Sequence, residues 1–195
     1  MFDFKERLAW SKGTRQRTDI ETIKAMIDGC VRVDIADEHL DRRGIDYVAT
    51  FRGGGQARID AKARDRGASR YWSKDMPDLA LEDWSVMPKD GRPGKVGWTL
   101  DESKQTDLVL FTFDPSDTDK CYLVSFQLLR MAFRRNRDTW LKRYKDASQK
   151  NNGWYSHCIF VPVRTVLLAI TQASCGRLKT PDGTHAQTLA ACAAR

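Results

Sequence analysis

The sequence predicts an α/β or α+β fold in which a mixed central β-sheet is flanked by helices. Three observations predict it. A segment near residues 19–29 carries apolar side chains at helical spacing. A dense run of strand-like segments joined by glycine turns follows, and a long helical pattern then covers about 127–144.

The elements follow in order. Up to about Arg17 the chain is charged around Leu8 and Trp10 and reads as an arm or short helix. Thr18-Asp19-Ile20-Glu21 reads as a capping box, Thr18 being the N-cap and Glu21 lying three residues on. A helix from about 19 to 29 follows, with Ile20, Ile23, Met26 and Ile27 on one face and Gly29 as its stop. Val31–Ile35 alternates with period two, and Ile45–Phe51 is rich in β-branched and aromatic residues, so both read as strands. Gly53-Gly54-Gly55 then turns the chain into Ala57–Ala63, which makes the last two strands a hairpin. A basic connection with Arg64, Arg66, Arg70 and Lys74 leads on.

Leu79–Val86 and Lys95–Leu100 read as a strand pair around the turn at 90–94. Asp107–Phe113 is the strongest strand signal, its continuous apolar run indicating burial on both faces. Residues 114–117 read as a turn and Cys121–Ser125 as another strand. In the helix at 127–144, Leu128, Met131, Ala132, Trp140, Leu141 and Tyr144 are the inward candidates. After a polar loop at 151–153, Cys158–Val161 reads as an edge strand, and Pro162 opens a short helix through Ile170. The organisation expected is one domain over 1–173 and a loosely ordered, alanine-rich tail over 174–195.

Composition narrows the function classes. The 195 residues can bury roughly 70% of the surface that the unfolded chain exposes. Apolar content of 41% with 30% charged residues argues against disorder of the whole chain. No run of about 20 apolar residues or secretory leader is expected, which points to the cytoplasm and away from a membrane. Five scattered cysteines without a CxxC pair read as reduced thiols, and three dispersed histidines make a zinc site unexpected. His39 and His157 read as structural. The 33 Lys and Arg against 26 Asp and Glu give a net charge of +7, a field that attracts polyanions.

One constellation carries chemistry. Asp60 and Lys62 stand two apart on a strand, so their side chains share a face. The hairpin brings Asp46 beside them. Two carboxylates at close range repel, and a hard divalent cation with oxygen ligands relieves that repulsion. A water polarised by Mg²⁺ and positioned by Lys62 is then a nucleophile suited to a phosphodiester.

Gly44-Ile45-Asp46-Tyr47, the glycine hairpin and Ile59-Asp60-Ala61-Lys62 resemble the active-site signature of the PD-(D/E)XK nuclease superfamily. The resemblance covers about residues 18–130, including the order of the leading helix and following strands. It implies a restriction-endonuclease-like core. Asp46 and Asp60 would be metal ligands, the Ala61 carbonyl a further ligand, and Lys62 the catalytic lysine. Ile45 stands where proline is usual, and Asp60 where glutamate is commoner. Many members draw an extra acid from the first helix, for which Glu21 is the candidate, although its capping role explains it equally well. Gln127 stands where some relatives place a glutamine near metal or DNA. Glu82, alternating with apolar neighbours, is either an outward residue or another acid.

Arg130, Arg134, Arg135 and Arg137 on the basic helix are candidates for phosphate contacts, against the plain alternative of a solvated helical face. Tyr71, Trp72, Trp84 and Trp98 are either base-stacking or core aromatics.

The function implied is Mg²⁺- or Mn²⁺-dependent hydrolysis of DNA phosphodiester bonds, with RNA left open and a homodimer fitting two-strand cleavage. The chain also resembles small proteins encoded by bacteriophages and prophages, which implies the cytoplasm of a bacterial host cell. The alternative is a protein of the same fold that binds nucleic acid without turnover, or that blocks a host factor.

Overall fold

A computed structural model of the chain describes residues 14–64, 77–113 and 121–175. The described elements are α1 (Thr14–Met26), β1 (Cys30–Ile35), α2 (Glu38–Asp41), β2 (Tyr47–Phe51), β3 (Gln56–Arg64), β4 (Asp78–Val86) and β5 (Lys95–Val96), then β6 (Leu108–Phe113), β7 (Cys121–Ser125), α3 (Phe126–Arg143), β8 (Asp146–Lys150), β9 (Tyr155–Pro162) and α4 (Val163–Cys175). The mixed α/β class is as expected. The strands, however, form two sheets. One has five strands in the order β1-β2-β3-β6-β7, and the other has four in the order β5-β4-β9-β8.

The five-stranded sheet is mixed because β3 and β6 run parallel, whereas its other neighbours are antiparallel. Asp107 pins that parallel pairing. Its carboxylate accepts the Arg58 amide at 2.9 Å and both Nε and Nη2 of the Arg58 guanidinium at 2.9 Å. The connection from β3 to β6 passes through β4 and β5, so two strands of the second sheet lie within the crossover and the other two follow α3.

Alternation across the pleat divides the core in two. On one face, Val33, Tyr47, Ala49, Ile59 and Leu110 pack with Ile23 of α1. On the other, Val109, Phe111 and Phe113 meet Leu79 and Leu81 of β4, Ile159 and Val161 of β9, and α3 and α4. β6 contributes to both clusters, which accounts for its unbroken apolar run.

Several expectations are corrected. α1 begins at Thr14, so Thr18 is an interior helical residue and not an N-cap. The β-hairpin of β8 and β9 was not visible in the sequence, because β8 (Asp-Ala-Ser-Gln-Lys) has no apolar face and is exposed throughout. Its strand form comes from pairing with β9. That pairing makes β9 an interior strand of its sheet, not an edge. β5 is only two residues long, and 98–100 is a turn, not strand. On α3, Phe126, Leu129 and Phe133 are buried alongside Ala132 and Trp140, while Leu128, Met131 and Leu141, and Tyr144 at its C-cap, are only half-buried. Ser174 and Cys175 still belong to α4. The turn at 114–117, the basic residues Arg66, Arg70 and Lys74, Tyr71 and Trp72, the arm before Thr14 and the tail beyond Cys175 lie outside the described residues. Among the described residues, no helix is long and apolar enough to cross a membrane.

Candidate active site

The β2–β3 hairpin assembles the site. Tyr47 pairs with Ile59, and the Asp46 amide donates to the Ile59 carbonyl at 2.8 Å, so Asp46 lies opposite Asp60 at the mouth of the hairpin. Asp46 Oδ2 accepts the Ala61 amide at 2.7 Å. Asp60 pairs with Val109 and Lys62 with Phe111, which turns both toward the core face shared with β4 and α3, away from α1. Asp46, Asp60 and Lys62 therefore come together as the sequence indicated.

Asp60 is 2% exposed. Its Oδ1 accepts Lys62 Nζ at 2.5 Å. Its Oδ2 is buried and has no hydrogen-bond partner. A second ammonium, that of Lys104, lies 3.6 Å from Oδ2, within ionic reach but beyond a good hydrogen bond. A buried carboxylate oxygen without a donor is costly, and a cation placed at it removes the cost.

The electrostatics agree. Burial, and then the neighbouring Asp60 charge, raise the Asp46 carboxyl from 3.8 to about 6, despite the Lys62 charge and the Ala61 hydrogen bond. Burial pulls the Lys62 ammonium down, but Asp60, Asp46 and Glu82 outweigh it and hold its pKa above the ordinary lysine value. Lys62 is thus a fixed positive charge rather than a proton acceptor. Its Nζ lies 5.3 Å from the centroid of the Trp98 ring, a cation–π arrangement.

Trp98 is held in turn by Phe126 and Phe111, each with ring centroids 6.3 Å away. It is a core aromatic under the lysine. The Glu82 carboxylate accepts the Trp98 amide at 3.0 Å and the Ser85 hydroxyl at 2.7 Å, and adds to the field at Lys62.

Lys104 was missed in the sequence. It reaches the site because residues 104–106 are fastened to the loop before β2: Thr106 Oγ1 donates to the Gly44 carbonyl at 2.6 Å, and the Arg43 guanidinium donates to Gln105 Oε1 at 3.1 Å. Gly44, at φ +78, leaves open the space that the ammonium fills. No sequence signal marks Lys104; only the register of this loop on Gly44 does.

The other candidates are not gathered here. Glu21 is exposed on α1, whose apolar face packs against the opposite side of the sheet. The buried acid of that helix is Asp19, which accepts the Tyr47 hydroxyl at 3.0 Å. Gln127 is exposed in the first turn of α3. Of the four candidate arginines on α3, three have partners within the fold. Arg137 grips buried Asp83 with Nε at 2.6 Å and Nη2 at 2.9 Å, and Arg134 pairs with Glu102. Arg130 lies over the Phe126 ring at 4.7 Å. Arg135 is exposed and makes no ion pair among the described residues.

The residues that could hold a divalent cation are the two carboxylates of Asp46 and Asp60, the latter with a buried oxygen that has no hydrogen bond, beside the Ala61 peptide. Among the described residues no group of three or more His, Cys, Asp and Glu side chains is arranged to hold a metal. Mg²⁺ does not need one, because it keeps several waters and binds through one or two carboxylates. Comparison with protein-family models, curated proteins and solved structures returned no match to this chain.

Proposed function

We propose that this protein is a metal-dependent nuclease that hydrolyses DNA phosphodiester bonds, with a restriction-endonuclease-like core of the PD-(D/E)XK type. The observation that carries the reading is Asp60 Oδ2, buried beside Asp46 without a hydrogen-bond donor and flanked by a lysine on the same strand face. The mixed sheet, with its hairpin of β2 and β3 and the parallel β3–β6 pair, supports it.

Asp46 and Asp60 would hold Mg²⁺ or Mn²⁺, with the Ala61 carbonyl as a further ligand. When bound, such an ion supplies Lewis acidity and a water of lowered pKa. The residues of the chain supply the rest. Ala61 N–H orients the Asp46 carboxylate. Asp60 fixes the Lys62 ammonium, which stays charged and faces negative charge growing on a phosphate oxygen. The net charge of +7 draws in the polyanion, and Arg135 is an exposed α3 arginine without an ion-pair partner among the described residues that can meet a phosphate.

The test is incubation with plasmid and linear DNA, in Mg²⁺ or Mn²⁺ and in EDTA, beside Lys62→Ala. Cutting that needs metal and vanishes in the variant establishes the enzyme. Equal inertness of both proteins on every DNA form and on RNA rejects it.

A second reading has one observation in its favour. Lys62 and Lys104 already balance the two acids without metal, as suits a protein that binds nucleic acid, or blocks a host factor, without turnover. In that case salt-sensitive DNA binding persists in the absence of any cutting, or is absent altogether.

A further inference from the structure

We infer that Lys104 is a resident counter-cation of the acid pair, and that it makes divalent-metal binding depend on a phosphate arriving with the metal. The inference rests on the reading of Asp46 and Asp60 as metal ligands.

The two oxygens of Asp60 are treated differently. Oδ1 belongs to Lys62 through a 2.5 Å hydrogen bond, whereas Oδ2 has no hydrogen-bond partner and lies 3.6 Å from the Lys104 ammonium. The Lys104 side chain is 17% exposed, so its charge is largely withdrawn from water. It fits because residue 44 is glycine. A Cβ there would stand 2.0 Å from Lys104 Nζ. Thr106 and Gln105 bind the same stretch to residues 43 and 44, so the position of Lys104 is built into the loop.

Two ammonium groups thus face two carboxylates, and the inner site is close to neutral. Adding a divalent cation alone places two further positive charges in a half-buried space beside Lys62 and Lys104, which weakens its binding. A phosphodiester brings compensating negative charge and gives the Lys104 ammonium a new partner once it leaves Asp60 Oδ2. Metal and nucleic acid then bind cooperatively, and by linkage each raises the affinity of the other by the same factor. Lys104 acts here as a positioning residue for the metal and as a contact for the phosphate.

The test is calorimetric titration with Mn²⁺, alone and with a short phosphorothioate-linked DNA duplex that resists hydrolysis, after subtraction of metal bound by the duplex itself. Lys104→Met is expected to bind Mn²⁺ alone about tenfold tighter than wild type, and to gain less from the duplex. Lys104→Arg, which keeps the charge, is expected to behave like wild type. Gly44→Ala offers a second perturbation, because the new Cβ would stand 2.0 Å from Lys104 Nζ and pushes the ammonium from Asp60, at the cost of backbone strain for an alanine at φ +78. It too is expected to bind Mn²⁺ alone more tightly. Equal affinity of wild type, Lys104→Met and Gly44→Ala for metal alone overturns the inference while leaving the metal site standing. Weaker binding by folded Lys104→Met also overturns it. Failure of every protein to bind Mn²⁺, with or without duplex, removes the metal-ligand reading as well.

Discussion

Asp46 Oδ2 accepts the Ala61 amide at 2.7 Å, so the first acid is tied to the backbone between the second acid and the lysine. That hydrogen bond adds to the hairpin register, which sets Asp46 opposite Asp60, and to the Lys62–Asp60 bond in spacing the three groups. It also holds the Asp46 carboxylate where burial and Asp60 raise its pKa to about 6.

A pH dependence of stability follows. The folded pKa of Asp46 lies above its unfolded value of 3.8. Its contribution is therefore fully present below about pH 4 and is lost as pH rises through 6, because above that pH the fold must carry a charge it disfavours. At roughly 1.4 kcal/mol per pKa unit, the full effect is about 3 kcal/mol at most. Denaturant unfolding of the metal-free protein against pH, beside Asp46→Asn, measures it. The variant should lack the decline between about pH 4 and 6, and parallel pH curves would contradict the account. Mg²⁺ should stabilise wild type more at pH 7.5 than at pH 5, since it binds the ionised carboxylate.

Asp60→Asn leaves two ammonium groups without their carboxylate and removes the orphaned oxygen. The expected outcome is a loss of stability of about 1–3 kcal/mol and loss of metal-dependent thermal stabilisation. Retention of the full Mg²⁺ shift in this variant would place the metal elsewhere.

Asp83 is 2% exposed and receives both arms of Arg137, and His157 Nδ1 lies 3.5 Å from it. Removing one partner of such a pair strands a buried charge. Asp83→Ala should cost roughly 3 kcal/mol in unfolding free energy. Arg137→Ala should likewise destabilise the fold. Arg135→Ala should leave stability alone and lower the salt slope of DNA binding by about 1, as expected for one lost phosphate contact. The reverse pattern would exchange their roles.

Gly97 lets the loop before Trp98 press against β4. A Cβ there would lie 2.2 Å from the Glu82 carbonyl oxygen, which is backbone and cannot swing away. Gly97→Ala should therefore displace Trp98 from Phe126 and loosen its support of Lys62. The expected cost is about 1–3 kcal/mol, with altered Trp fluorescence as a second readout. An unchanged spectrum and stability would show that the loop accommodates the methyl.

The legible part of the site is the part made by local geometry. Period-two alternation on either side of three glycines determines a hairpin, and hairpin register determines which side chains meet. Asp46, Asp60 and Lys62 lie within 17 residues of one another, counted inclusively, and all three follow from that register. The apolar run at 107–113 and the spacing at 127–144 marked β6 and α3 for the same reason, because burial on a fixed period leaves a pattern.

By itself, then, the sequence determined the mixed α/β class, the hairpin and its acid–acid–lysine trio. Tertiary structure decided the rest. It divided the strands between two sheets, gave the exposed residues of β8 a strand form, and set three of the α3 arginines against partners within the fold. It also delivered Lys104 to Asp60 from 44 positions away. The physical reason is the same each time. A side chain whose partner is distant in sequence leaves no periodic trace in its neighbours, and its role is fixed only when packing brings the two segments together.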